Sequence, residues 1–148
     1  MIENVLVESQ RNIEEVTNFF RSFGLAMTKA PSDGGWTASQ CLAHLADAEI
    51  SLSLRLRMML TSENYKFANW DEDAFSEIKS DRDPKLSVDI FCALRKSNLE
   101  ILNSLDTGKW NRIGIKPNGD EITVQGYVEQ MTKHVRSHLE QAVRAAQG

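Results

Sequence analysis

Apolar residues recur at helical spacing in four stretches of the chain. In residues 2–23, Val5, Leu6, Ile13, Val16, Phe20 and Phe23 share one stripe. That pattern predicts an amphipathic helix ending near Gly24. The loop KAPSDGGWTASQ follows, with Pro31, Gly34 and Gly35 as breakers. Thr37 and Gln40 make a T-x-x-Q capping box, so a second helix is expected to start near Thr37 and reach about Leu60. A third helix is expected over about residues 87–105, capped by Ser87, with Val88, Phe91, Leu94, Ile101 and Leu102 inside. The fourth starts near Thr123 and runs to about Ala146.

Two segments break this rhythm. Residues 61–86, TSENYKFANWDEDAFSEIKSDRDPKL, are rich in acids and aromatics without clear periodicity. At that length they hold either a short helix near residues 72–78 or a functional lid. Residues 106–124 carry two short alternating runs around Pro117-Asn118-Gly119-Asp120, which reads as a small hairpin with an Asn-Gly turn. The expected fold is therefore all-α: a four-helix bundle with a long middle loop and a small hairpin before the last helix, as one domain over residues 1–148. Bundles of this kind build metal and cofactor sites from side chains on facing helices.

Candidate chemistry starts with MTKHVRSHLEQ. His134 and His138 stand four apart, so they are neighbours on one helix face. With Met131 at zero, the buried arc of the fourth helix lies at roughly 20° to 80°, His138 at roughly −20° and His134 at roughly −60°. Both imidazoles therefore face the core margin. The one other histidine, His44, lies at the edge of the buried arc of the second helix, with Ser51 and Arg55 nearby on that face. Pairing of the second and fourth helices brings the three together. Three histidines on one divalent cation leave positions open for water or substrate, which is the pattern of catalytic metal sites. A solvated surface pair is the competing reading of His134 and His138.

Composition narrows the partners. The chain has 148 residues, 41% hydrophobic and 26% charged, with a formal net charge of −4. That balance disfavours nucleic acid and anionic membrane as partners. Cys41 and Cys92 lie in apolar helical patterns without CxxC spacing, which suggests a reducing, cytoplasmic compartment. The N-terminal stretch does not read as a signal peptide, and no apolar run reaches the roughly 18 residues of a membrane span.

The stretch GGWTASQCLAHLADAE, with Trp36, Thr37, Ser39, His44, Leu45 and Glu49, resembles the start of the second helix in the DinB-like superfamily. The late H-x-x-x-H-x-x-Q of His134, His138 and Gln141 is the family's second signature, and NWDEDAF at residues 69–75 is similar to its pocket-covering region. The resemblance implies an up-down-down-up four-helix bundle and a homodimer. It also implies a divalent metal, zinc or nickel, on His44, His134 and His138. Some members are transferases or isomerases that use low-molecular-weight thiols, and many have no known substrate. The expected function is a metal-dependent enzyme acting on a small molecule, as a thiol-dependent transferase or a hydrolase. A non-catalytic metal- or small-ligand-binding stress protein is the rival.

Other polar residues carry two readings each. Glu49, Asp71 and Asp73 are the candidate catalytic acids or bases. Glu49 equally fits an ion pair with Arg11 or Arg95, and Asp71 and Asp73 a solvated loop. Asn12 and Asn98 point inward and line a pocket or satisfy their neighbours. Tyr65, Phe67, Trp70 and Phe75 either cap the site or form a satellite core. Trp36 is expected to fix the lead-in to the second helix, and Cys41 to be a buried thiol.

Overall fold

A computed structural model describes residues 1–148. Its helices are α1 (Ile2–Phe23), α2 (Ala38–Thr61), α3 (Glu72–Ile78), α4 (Pro84–Leu102), α5 (Thr107–Trp110) and α6 (Val124–Gln147). A 3-10 turn covers Gly24–Ala26, and three short strands are β1 (Tyr65–Lys66), β2 (Ile113–Ile115) and β3 (Glu121–Thr123). The four long helices form the expected bundle. α4 and α6 each pack against both α1 and α2, so α1 and α2 sit on a diagonal.

Two apolar clusters fix the helix directions. One joins Phe19 at the end of α1 to Cys41 and Leu42 at the start of α2, Val88 and Phe91 at the start of α4, and Leu139 and Ala142 late in α6. The other joins Val5 early in α1 to Leu56 and Met59 late in α2, Leu102 at the end of α4, and Val124 and Tyr127 at the start of α6. The order is thus up, down, down, up. Because α2 and α4 run the same way, residues 62–83 must return along the side of the bundle. That return is what lays the middle segment across the helices.

Local chemistry explains most boundaries. The Thr37 side chain accepts from Gln40 N at 3.1 Å while Thr37 N donates to Gln40 Oε1 at 2.9 Å, completing the capping box. Thr123 caps α6 by accepting from Gly126 N at 3.0 Å. α4 begins at Pro84, three residues before the expected Ser87, because Asp83 caps it, accepting from Lys85 N at 2.9 Å, and Pro84 suits the first turn. It also ends earlier than expected, at Leu102, with residues 103 and 104 in a turn. Gly24 does not stop the helical path outright: it is right-handed and continues into the 3-10 turn.

The expected hairpin is β2–β3, antiparallel, with Gly119 at φ +92° in its turn. An unexpected third strand, β1, adds in parallel to β2, with Phe67 N donating to Ile115 O at 2.8 Å. A Cβ on Gly114 would meet the Phe67 ring, so glycine there lets the crossover lie flat on the hairpin. This small sheet fastens the start of the return segment.

Candidate metal centre

The capping box sets the register of α2, and that register puts His44 on its second turn, facing α6. His44 is 1% exposed, while His134 and His138 are half-buried. One nitrogen from each ring lies within 4.8 Å of the other two. His44 Nε2 is 3.1 Å from His134 Nε2. His138 Nδ1 pairs with Gln141 Oε1 at 2.9 Å, which fixes that ring and leaves Nε2 as the acceptor.

Two indoles wall the cluster. Trp36 lies 5.1 Å from His44 and 6.2 Å from His138 between ring centroids, so it does more than fix the lead-in to α2. Trp70, from the return segment, stacks on His44 at 5.8 Å and touches Phe75 at 4.8 Å. Arg82 ties that segment down: its guanidinium donates to both Asp47 oxygens at 2.9 and 2.8 Å and to Phe75 O at 3.4 Å. Beyond Trp70 an open cavity of about 210 Å³ is lined by Ile50, Leu54, Tyr65 and Phe75. Phe67 is buried in the second core cluster instead.

Burial, and then the charges of His138 and His134, pushes His44 down to about 3. Burial, then the charges of His138 and Arg95, pushes His134 down to about 4. Both rings are neutral at pH 7, as ligation of a cation requires. Nδ1 of His44 and of His134 is buried without a partner, so these two rings share one hydrogen bond among four nitrogens. Tetrahedral zinc with nitrogen bonds of about 2.0–2.1 Å separates its ligands by about 3.3 Å, close to the 3.1 Å between His44 Nε2 and His134 Nε2. The donor set fits a divalent cation.

The three candidate acids fall elsewhere. Glu49 is 1% exposed and bound to Arg95, with Nε to Oε2 and Nη2 to Oε1 both at 2.8 Å. Asn98 Nδ2 adds a bond to Glu49 Oε2 at 3.1 Å, and Asn12 Oδ1 accepts from Arg95 at 2.8 Å. Arg11 pairs instead with Glu8 at 2.6 Å. Asp71 caps α3, accepting from Asp73 N and Ala74 N, and Asp73 is exposed. None of the three belongs to the histidine group. The acid that does reach it is Glu72, whose Oε2 is 3.7 Å from His44 Nε2. Sequence reasoning passed over Glu72. The available signal was Asp71: as the cap of α3 it makes Glu72 the first residue of that helix.

The thiols lie apart from this chemistry. Cys41 is fully buried, and burial raises it to about 12. Cys92 is half-buried, with Sγ 3.7 Å from Thr17 Oγ1. No helix is long and apolar enough to cross a membrane.

Known proteins share the fold and the family. The chain is 30% identical over 110 residues to YfiT of Bacillus subtilis, named "Putative metal-dependent hydrolase"; the match covers 72% of this chain and 62% of that protein. A relative of the same description from Oceanobacillus iheyensis is 25% identical over 145 residues, covering 93% and 84%. The solved structure of the YfiT four-helix bundle superposes with a TM-score of 0.81 at 24% identity, covering 97% of this chain and 83% of that one. A mycothiol-dependent maleylpyruvate isomerase shares the fold at TM-score 0.71 and 15% identity, and this chain spans 60% of its length. A sequence profile of the DinB superfamily matches residues 10–142, and the chain belongs to that superfamily.

Proposed function

We propose that His44, His134 and His138 hold one divalent cation, zinc or nickel, and that the site is the reaction centre of an enzyme acting on a small molecule. The observation that carries this reading is the convergence of three ring nitrogens within 4.8 Å, two of them on rings held neutral. A cation held there supplies Lewis acidity: it polarises a substrate oxygen and lowers the pKa of a coordinated nucleophile.

The nucleophile comes from outside the chain. Cys41 is walled into the core and pushed up to about 12, and Cys92 lies against Thr17 outside the histidine group, so neither protein thiol supplies it. Water makes the protein a hydrolase, as its relatives are named. A low-molecular-weight thiol makes it a transferase or isomerase, the class of its mycothiol-dependent structural neighbour. Glu72 Oε2, on the exposed side of His44, is placed to take the proton that either nucleophile gives up. Gln141 orients His138, while Trp36 and Trp70 keep bulk water from the ring faces.

Metal analysis tests the site. Wild-type protein carries about one equivalent of divalent metal, removable by chelator, and His44→Ala and His138→Ala each lose most of it. Unchanged metal content in both variants refutes the three-histidine assignment. Loaded protein is then assayed on activated esters and, separately, on low-molecular-weight thiols with monochlorobimane. Metal-dependent turnover in one assay selects the nucleophile; turnover in neither leaves a metal-binding protein.

A further inference from the structure

Glu72 brings a carboxylate to the histidines without a donor to receive it. Its Oε2 lies 3.7 Å from His44 Nε2, and no lysine or arginine pairs with it. That distance is too long for a hydrogen bond, and the facing nitrogen already stands 3.1 Å from His134 Nε2.

The return segment sets this position. Asp71 caps α3 and makes Glu72 its first residue. Two residues before Glu72, Trp70 stacks on the His44 ring at 5.8 Å. Beyond α3 the chain is fastened to α2 on both sides of His44. Ser39 Oγ donates to Arg82 O at 3.1 Å, and the Arg82 guanidinium clasps Asp47 at 2.9 and 2.8 Å. Glu72 thus sits between two anchors on the helix that carries His44. An acid in a first turn also favours the helix dipole, but Asp73 meets that need in the same turn without approaching a histidine.

Two ligands bonded to one cation at about 2.0–2.2 Å stand about 3 to 4 Å apart. The 3.7 Å between Glu72 Oε2 and His44 Nε2 falls in that range. Glu72 is outside the group of three nitrogens that all lie within 4.8 Å of one another, so it meets the cation from the His44 side alone. Its side chain is 54% exposed against 1% for His44, which makes it the donor free to swing in and out. We propose that Glu72 is a fourth, displaceable ligand of the cation held by His44, His134 and His138, so that the return segment is clamped to the bundle whenever the cation is bound. The inference rests on the three-histidine reading of the centre and adds to it a carboxylate from a separate element. Held at rest and released when a nucleophile takes its place, the same side chain is then free to accept the proton.

The test uses the full chain. Zinc affinity is measured by competition with a chromophoric chelator, and cleavage of residues 67–83 by a limiting protease is followed with and without zinc. Wild type and Glu72→Gln each bind about one zinc, with Glu72→Gln weaker by about tenfold or more. Asp73→Asn, which removes a neighbouring charge from the same turn, stays within about twofold of wild type. Zinc slows cleavage severalfold in wild type and in Asp73→Asn, and leaves it unchanged in Glu72→Gln. Three results overturn the fourth ligand while the three histidines stand: affinity of Glu72→Gln within about twofold of wild type, an equal loss in Asp73→Asn, or zinc protection that persists in Glu72→Gln. Absence of zinc from wild type overturns the three-histidine reading itself, and the fourth ligand with it.

Discussion

His44 and His134 set the pH behaviour of the metal-free protein. Their folded values, about 3 and about 4, lie below the ordinary 6.5. Above pH 6.5 both states are neutral and the two rings add no pH dependence. Below it the unfolded chain takes up protons that the folded chain refuses until pH 4 to 3, so stability falls through that window. The thermal midpoint of metal-free protein should therefore drop steadily from pH 7 to pH 4, and a His44→Asn/His134→Asn variant should show a flatter profile. Equal slopes in the two proteins would refute the depressed values. The residues of this site differed in how visible they were beforehand. Helix periodicity places all three histidines at the margin of the buried arcs, because a wheel needs only spacing. It could not place Glu72, which reaches His44 through the path of an irregular segment. Nor could it show that Gln141 would hold His138.

Elements with strong local chemistry were legible; those fixed by distant contacts were not. The capping box of α2, the Thr123 cap of α6 and the Asn-Gly hairpin are short-range and were read directly. α3 occupies the residues named for a short helix. α5 and β1 were missed: α5 is a single turn, and β1 exists only because the crossover meets β2, almost fifty residues later, in parallel. The start of α4 lies three residues before the expected Ser87, because the Asp83-Pro84 pair supplies both a cap and a first-turn proline. The crossover depends on one more long-range contact, the two-pronged Arg82–Asp47 pair. Asp47→Ala should free residues 67–83 to leave the bundle, raising their cleavage by a limiting protease severalfold and costing about 1 kcal/mol of global stability. Metal content should not change, since the three histidines stand on α2 and α6. Unaltered cleavage would show that the small sheet alone holds the segment.

Across the whole molecule, a polar layer divides the two apolar clusters at mid-height. Ser9 and Asn12 from α1, Glu49 and Ser53 from α2, and Arg95 and Asn98 from α4 bond one another there, all of them buried. α6 brings His134 within the field of Arg95, which helps hold that ring neutral. The layer thus joins the stability of the bundle to the state of the histidine cluster. A buried ion pair adds little over apolar residues of like volume, yet removing one partner strands the other charge at a cost of about 3–5 kcal/mol. Glu49→Leu should lose that amount in urea unfolding. It should also weaken metal retention, because an uncompensated Arg95 opposes a second cation nearby. Glu49→Leu/Arg95→Met removes both charges, so stability and metal retention should both return most of the way to wild type. If the double variant instead keeps the stability loss but regains metal, the layer is needed for packing and acts on the histidines only through charge. If it regains neither, the layer sets the helix register from which the three imidazoles converge.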